Sequence, residues 1–300
     1  MATEISYKKL RYYWGLYALI LIPLALVLLF NYYPIFNGFI HIFYHWDGDA
    51  VEEFTGLENL KNVLTDVKVW NSFLVVGIFV ISNLFKMIIP ILSAVVLHHI
   101  INNRANYVYR VMFVIPMVIP SMVGLLIWKY FYEPNQGILN GILRSTGIIA
   151  ETDTILWLSD KMLTIPSLVF AGFPYVGAFG VLIYLAGLQN IPEEVYEAAK
   201  VDGASPLRIF FSIELPLIMT QVRINLILMI INTIQSWQNV YLYVGASGGP
   251  DGVATVPGLL IFREAFSRGL FGYGCAIGFL IFLVTLLLTF INNKFIRTEK

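Results

Sequence analysis

The chain has 300 residues, of which 58% are hydrophobic and only 13% are charged, and its formal net charge at pH 7 is zero. A soluble domain carries about 25% charged residues, so this chain lacks the polar side chains that would cover a water-facing surface. The composition excludes an ordinary soluble domain and predicts an all-α membrane protein with several spans. Cys275 is the single cysteine, which excludes an internal disulfide.

Six apolar runs follow one another, each long enough to cross about 30 Å of hydrocarbon at about 1.5 Å per residue. The first run has no convincing small-residue cleavage site, so it predicts a retained span rather than a signal peptide. The predicted spans are roughly Trp14–Phe36, Trp70–Leu97, Tyr107–Tyr132, Leu163–Gln189, Leu217–Tyr243 and Gly269–Phe290. Interior prolines predict kinks, at Pro23, Pro34, Pro90, Pro116, Pro120 and Pro174. We expect one transmembrane domain over 14–292, between a cytoplasmic N-terminal segment, 1–13, and a cytoplasmic tail, 293–300.

The distribution of lysine and arginine predicts the orientation. With the N-terminus inside, eleven Lys and Arg fall on the inner side and seven on the outer side, while Lys86 lies within a span. Both termini and the segment 190–216 are then cytoplasmic, and three loops lie outside, at 37–69, 133–162 and 244–268. The outer loops are either docking surfaces for an extracytoplasmic partner or solvated connectors. In the first of them, Phe54–Asn59 predicts a capped start to a short surface helix.

The segment 190–216 is polar and separates the fourth and fifth predicted spans, and its local signals predict two short helices joined by a turn. Pro192 suits the first turn of a helix, with two acids after it at the positive end of the helix dipole. Gly203 suits the left-handed residue that closes a helix. Ser205 followed by Pro206 is typical of the cap and first turn of a second helix.

Small side chains mark the first of these helices, since Ala198 and Ala199 leave room for another surface to approach the backbone. The local pattern alone leaves two interpretations open. The segment is either a docking element for a partner or only a connector between spans.

No pattern for catalysis or for nucleotide binding is present. No lysine is followed by Ser or Thr, so the chain has no phosphate-binding loop of the Walker type. The pairs His41 with His45 and His98 with His99 lack the cysteines or acids of a zinc site, so we interpret them as interfacial histidines. We therefore predict that the chain is not an enzyme by itself and holds no cofactor or metal.

The fifth predicted span carries many polar side chains. Asn225, Asn232, Ser236 and Asn239 follow one another at intervals of seven, four and three residues, so they share one helix face. Such groups either join helices by hydrogen bonds or line a water-filled path for a hydroxylated solute, with aromatic rings on which sugars stack. We favour the path, whose candidate residues are Asn225, Asn232, Gln235, Ser236, Trp237, Asn239, Tyr241 and Tyr243.

A second polar face lies on the second predicted span, at Ser82, Asn83 and Lys86. A charge near the middle of a bilayer should face protein or water rather than lipid. Lys86 either pairs with a partner subunit or contacts an anionic solute, and the sequence does not decide between them. No span carries an acid near its centre, which argues against a proton- or sodium-coupled carrier.

Residues 197–216 resemble the "EAA" loop in the permease subunits of binding-protein-dependent ABC importers. The matching residues are Glu197-Ala198-Ala199, Asp202-Gly203-Ala204, Phe210, Ile213 and Leu215-Pro216. The resemblance covers almost the whole chain and is strongest to the maltose-type carbohydrate-uptake permeases, specifically the first of their two dissimilar subunits. Further matches are Phe54–Asn59 before Trp70-Asn71, Arg110, Pro116, Trp128, Gly137, Asn140, Gly248-Gly249-Pro250, Thr255, Ala265-Phe266 and Gly272-Tyr273-Gly274.

The resemblance implies the type I ABC importer permease fold, in a bacterial or archaeal cell membrane. It implies a second homologous permease, a dimer of ATPase subunits that hold ATP and Mg, and an extracytoplasmic binding protein that delivers a sugar or oligosaccharide. The loop would be the coupling helix on the ATPase, with Glu197 as a charged contact, close approach at Ala198, Ala199 and Gly203, and Asp202 as a cap or a pairing group. The implied coupling residues are Glu194, Glu197, Ala198, Ala199, Asp202, Gly203, Ala204 and Phe210.

Several alternatives stay open. The same scaffold carries glycerol phosphate or polyamines, and Lys86 suits an anion better than a polyamine. A secondary carrier would move solute without ATPase partners, and a membrane enzyme would need a catalytic constellation that the sequence lacks. A six-span channel would leave the segment 190–216 without a role.

Overall fold

The computed structural model describes residues 13–49 and 51–295, and helices make up most of this part of the chain. Three of its helices are long and apolar enough to cross a membrane: Trp14–His41, Val67–His98 and Phe271–Asn292. Two bent pairs also qualify if each is one span: Asn103–Val118 with Ser121–Phe131, bent by 88°, and Pro206–Leu217 with Met219–Gln235, bent by 68°. The described residues thus contain three to five candidate spans by length and composition.

The elements of the N-terminal third are α1 (Trp14–Val27), a π-helical turn (Leu28–Tyr32), α2 (Tyr33–His41), β1 (Tyr44–Trp46), β2 (Val51–Phe54), α3 (Glu58–Thr65), α4 (Val67–Lys86) and α5 (Ile88–His98). The middle holds α6 (Asn103–Val114), a 3-10 turn (Ile115–Val118), α7 (Ser121–Phe131), α8 (Ile138–Ser145), α9 (Thr164–Phe170) and α10 (Ala178–Gln189).

The remaining elements are α11 (Glu193–Val201), α12 (Pro206–Ile209), a π-helical turn (Phe210–Glu214), α13 (Leu215–Leu217), α14 (Met219–Gln235), α15 (Trp237–Val244), a 3-10 turn (Pro250–Gly252), α16 (Pro257–Phe262), a π-helical turn (Arg263–Ser267) and α17 (Phe271–Phe295). The described residues divide into two compact units. The first extends to Asp66 and includes Glu264–Phe279, and the second comprises Val67–Arg263 and the chain from Leu280.

In the first unit, an antiparallel hairpin of β1 and β2 pairs Tyr44 with Phe54. The Asn59 side chain holds α3 to this hairpin, because its Nδ2 donates to the carbonyl oxygens of Ile42 and Tyr44, both at 2.9 Å. The predicted surface helix is present at Glu58–Thr65, but its predicted cap is wrong. The preceding residue, Leu57, has no capping side chain.

The second unit has two main apolar cores. The first joins α4, α14 and α16, with Val76, Ile234 and Leu259 almost fully buried. The second joins α5 and α10, where Ala94 packs with Leu188. These contacts place α4, α14 and α15 side by side, and their polar side chains are therefore brought together.

Two predicted spans, the fourth and the fifth, differ from the structure in detail, and the third bends where a kink was predicted. The fourth is interrupted between α9 and α10, because Gly172 has φ +89° and a proline follows it at 174. The third bends sharply before Pro120, as its prolines predicted. The fifth begins at Met219 and breaks at Ser236, whose φ and ψ of −83° and 55° are not helical.

The loop 133–162 is organised by Asn140, which is fully buried. Its Nδ2 donates to the carbonyl oxygens of Pro134 and Ile155, at 2.8 and 3.0 Å, and its Oδ1 accepts from Trp157 Nε1 at 3.0 Å. All three amide hydrogen bonds join distant parts of the loop. This loop is therefore an ordered structure rather than a loose connector.

Candidate functional site

The predicted helix–turn–helix of segment 190–216 is present, with α11 and α12 separated by a short turn. Gly203 has φ +68°, which confirms the predicted left-handed residue. Ser205 Oγ accepts from the backbone N–H of Arg208 at 3.4 Å, which confirms the predicted cap. Pro192 stands immediately before the helix rather than in its first turn. We call Glu193–Leu217 the loop module.

The loop module has a small core of its own, formed by Tyr196, Ala199 and Ile209. Ala199 is only 7% exposed, and its methyl group faces this core. The Ala199 side chain is therefore occupied within the module, and the predicted close approach of a partner at Ala199 stays a prediction. A small residue is needed there because α11 and α12 pack against each other. Ala204, half-buried, packs against the same core.

A buried carboxylate anchors the loop module to the end of α5. Glu214 is 1% exposed, and its Oε1 lies 2.6 Å from His99 Nε2. The Tyr196 hydroxyl donates to the same oxygen at 3.2 Å. Burial, with the neighbouring Glu214 carboxylate, raises the pKa of Tyr196 above its usual range, so its hydroxyl stays protonated at neutral pH. The module is thereby fixed to a membrane-spanning helix and cannot swing freely.

The outer surface of the loop module combines charged and apolar groups. Glu194, Glu197, Ala198 and Asp202 are exposed. Asp202 makes no side-chain hydrogen bond within the described residues, so the predicted cap or pairing is not formed there. Phe210, half-buried, places its ring 4.8 Å from that of Phe211.

Three large apolar side chains on this surface were missed by sequence reasoning: Val201, Leu207 and Phe211, which are 89%, 72% and 62% exposed. Val201 and Phe211 stand directly beside the matched motif residues Asp202 and Phe210, which was the available signal for these two. Exposed apolar groups on an otherwise polar segment make this surface a candidate for contact with a partner. We call Glu197, Val201, Leu207 and Phe211 the docking face.

A pocket of about 690 Å³ lies within the second unit, among α4, α7, α14 and α15 and the end of α9. Seven amide or hydroxyl side chains reach it from three separate stretches of the chain. The polar and aromatic lining residues are Phe79, Asn83, Lys86, Ser121, Trp128, Asn232, Thr233, Ser236, Asn239 and Tyr243. Its remaining walls are mainly apolar, so the pocket offers oriented hydrogen-bonding groups on an apolar frame.

Four of the eight predicted path residues line the pocket, namely Asn232, Ser236, Asn239 and Tyr243. The other four do not, although they belong to the same stretch of sequence. Gln235 lies at the end of α14 with its side chain exposed. Asn225 is buried, its Nδ2 donates to the Gln221 carbonyl oxygen at 3.2 Å, and its side chain also bonds to that of Tyr184 on α10, so it joins two helices instead.

The two remaining aromatic residues form a separate cluster. Trp237 stacks on Phe262 with ring centroids 5.0 Å apart, and Tyr241 meets the edge of the same ring at 5.6 Å. The backbone at Gly258 packs tightly against the Trp237 side chain, leaving no room for a Cβ atom. These rings pack α15 against α16 and are not pocket walls.

Hydrogen bonds hold the polar wall of the pocket in place. Asn83 Nδ2 donates to Thr233 Oγ1 at 2.9 Å, and that hydroxyl donates to the Met229 carbonyl oxygen at 2.7 Å. Asn239 Nδ2 donates to Ser236 Oγ at 2.9 Å. The Asn232 side chain is exposed and makes no side-chain hydrogen bond within the described residues. Its amide is therefore available to a ligand.

No described group of three or more His, Cys, Asp or Glu side chains has the arrangement of a metal site. The sequence matches the family described as the binding-protein-dependent transport system inner membrane component, over residues 86–298. The chain belongs to this family. The match includes the whole loop module and most of the pocket, and the protein is a multi-pass membrane permease component.

Permeases of sugar transport systems are similar to this chain over most of their length. The trehalose/maltose transport system permease protein MalF of Thermococcus litoralis is 32% identical over 98% of this chain and 96% of its own. The diacetylchitobiose uptake system permease protein NgcF of Streptomyces coelicolor is 29% identical over 91% of this chain and 80% of its own.

A bacterial alginate ABC transporter, solved in complex with its alginate pentasaccharide-bound periplasmic protein, contains a chain of the same fold. It superimposes with a TM-score of 0.81 at 20% identity and covers 98% of both chains. The predicted ABC importer permease fold is thereby confirmed.

Proposed function

We propose that this permease is the membrane-spanning subunit of an ATP-driven importer for a sugar or oligosaccharide, delivered by an extracytoplasmic binding protein. Partner ATPase subunits hydrolyse ATP, and a second homologous permease completes the path. The docking face carries this proposal, because exposed apolar side chains on a rigid polar module require a partner. The resemblance of this segment to the EAA loop of ABC importers supports the ATPase subunit as that partner.

The pocket supports the substrate class. Asn232, Ser236 and Asn239 present amides and hydroxyls, which suit sugar hydroxyls, while Trp128 and Tyr243 present aromatic surfaces. Membership of the family and the names of similar permeases, which transport trehalose/maltose and diacetylchitobiose, favour the same class.

The anchoring of the loop module supports a mechanism of alternating access. Closure of the ATPase dimer would push the docking face, and the Glu214–His99 contact would pass this movement to α5. Because α5 continues the span that begins with α4, the displacement reaches the helix that carries Asn83. The loop module therefore acts as a lever between the ATPase and the pocket, with both termini and the loop module in the cytoplasm.

Co-purification tests the docking face. The chain is expressed with its second permease and ATPase, as wild type and as the variants Glu197→Ala, Leu207→Asp and Phe211→Asp. We expect the two aspartate variants to lose the ATPase while retaining the second permease, because a charge placed in an apolar interface costs about 2 kcal/mol or more. Glu197→Ala should lower ATP hydrolysis without complete loss of the complex.

Ile148→Asp is the matched control, since Ile148 is 70% exposed but lies in the loop 133–162. It should retain the ATPase. Equal ATPase recovery for all the variants would refute the coupling assignment. Solute movement in liposomes by the purified chain alone would instead indicate a carrier or a channel.

A further inference from the structure

Lys86 is the only charged side chain among the described residues that line the pocket. Its Nζ lies 4.6 Å from the centroid of the Tyr175 ring, so the ammonium group rests on an aromatic face. Such a contact stabilises a cation without neutralising it. Lys86 also lies well inside the 32-residue candidate span Val67–His98, where an unpaired charge is expensive.

The walls of the pocket cannot supply a negative charge. All lining residues fall within the sequence stretches 67–132, 161–192 and 215–250, and these stretches contain no aspartate or glutamate. Lys86 makes no ion pair with a carboxylate of the described residues. The negative charge that balances the Lys86 ammonium group must therefore come from a group other than the pocket residues of this chain.

We propose that the pocket takes an anionic carbohydrate and that Lys86 binds its negatively charged group. This inference rests on the proposed function and names the substrate class of the same site. An ammonium group is a compact positive charge with three N–H donors, so it can bind a carboxylate, a phosphate or a sulfonate group on the sugar. The neutral donors around it, from Asn83, Ser121 and Asn232, remain for the hydroxyl groups.

The comparisons show that the scaffold does not decide the charge of the solute. One transporter with the same fold imports alginate, an acidic polysaccharide, whereas a relative that is 32% identical is named for the neutral sugars trehalose and maltose. Whatever selection between neutral and acidic solutes takes place in the membrane subunits therefore depends on individual pocket residues rather than on the fold. In this chain, the residue placed to make that selection is Lys86.

The test uses the complete transporter in liposomes, with its binding protein, and measures ATP hydrolysis stimulated by matched pairs of probes. The pairs are digalacturonate with its dimethyl ester, and glucose 6-phosphate with glucose. We expect the acidic member of at least one pair to stimulate hydrolysis at a concentration at least about tenfold lower than its neutral counterpart. The pair that responds identifies the source of the charge as a carboxylate or a phosphate.

Variants at Lys86 then assign the effect to this side chain. Lys86→Met keeps the length of the side chain but removes the charge, and should raise the half-maximal concentration of the acidic probe about tenfold. Lys86→Arg should stay within about threefold of wild type. Lys129→Met is the matched control, since Lys129 Nζ donates to the Leu242 carbonyl oxygen and does not line the pocket.

The inference is overturned if no acidic probe is preferred, or if Lys86→Met and Lys129→Met behave alike. It is also overturned if Lys86→Met releases the second permease, because Lys86 would then be a contact between subunits. Stimulation by the neutral probes alone would leave the proposed sugar importer intact and remove only the anionic preference. Failure of the wild-type chain to hold an ATPase would remove both.

Discussion

The loop module and the pocket are polar regions of a mainly apolar protein, and they are built in opposite ways. The loop module is a single stretch of 25 residues, Glu193–Leu217, with its own core. The pocket is assembled from separate helices, and its Asn83–Thr233 hydrogen bond joins residues 150 positions apart. A local module presents a surface to a partner, whereas an assembled pocket presents side chains to a solute.

The two regions also differ in the groups that hold them. A buried carboxylate with two partners fixes the loop module, while neutral amide and hydroxyl hydrogen bonds order the pocket wall. Removing a buried charge leaves its partners unsatisfied, which costs more than losing one neutral hydrogen bond. Changes at the anchor should therefore affect stability, and changes at the pocket wall should affect affinity.

The largest effect is expected for Glu214→Ala, which removes the anchor of the loop module. Removing the buried Glu214 acceptor leaves Tyr196 and His99 without their shared partner, which costs about 3 kcal/mol, less what half-exposed His99 regains by hydration. Hydrogen exchange of the amides between 193 and 217 should accelerate by about a hundredfold, while amides of α4 and α14 keep their protection. Glu214→Gln retains a hydrogen-bonding group and should lose less. An unchanged exchange rate in the alanine variant would show that the Glu214 contacts do not contribute to the stability of the loop module.

The next effect is expected for Gly203→Val in the turn of the module. A β-branched side chain at φ +68° is strained by about 1–2 kcal/mol, although no atom obstructs its Cβ. Stimulated ATP hydrolysis should fall because the two short helices lose their relative position. Gly203→Asn is the control, since asparagine tolerates this conformation better. Equal loss in both variants would indicate a direct contact with the partner instead of backbone strain.

A smaller effect is expected for Tyr196→Phe, which removes one hydrogen bond to Glu214 and costs about 1 kcal/mol. The raised pKa of Tyr196 means that the folded protein favours the neutral phenol. This contribution is complete below the unfolded pKa of about 10 and is lost as the pH rises through the higher folded value. The difference in thermal stability between wild type and variant should therefore shrink above about pH 10. A constant difference would contradict the assignment.

The smallest effects are expected for two asparagines of α14, Asn232, which lines the pocket, and Asn225, which does not. Asn232→Ala should raise the half-maximal substrate concentration about threefold to fivefold with little change in stability, since its exposed amide lines the pocket. Asn225→Ala should lower thermal stability and leave that concentration unchanged, because the residue is buried outside the pocket. The reverse pattern would mean that the solute path follows the other part of α14.

Sequence reasoning was reliable where the physical cause is local. The turn at Gly203 and the cap at Ser205 follow from backbone preferences of single residues, and both are present. Sequence reasoning did not give side-chain direction, which depends on packing: Ala199 faces the core of the module and Val201 faces outward. A period of 3.6 residues defines a helix face but does not say what that face meets.

The sequence by itself determined that this chain resides in a membrane, that its helices are interrupted by prolines and glycines, and that 193–217 forms a compact module. Composition and local backbone preference are sufficient for each of these features. Only the tertiary structure decided which polar side chains meet, bringing Lys86 and Asn232 into one pocket while placing Asn225 and Trp237 outside it. Contacts across such long sequence separations exist only after α4, α7 and α14 have packed, because they depend on the rotation of each helix about its own axis.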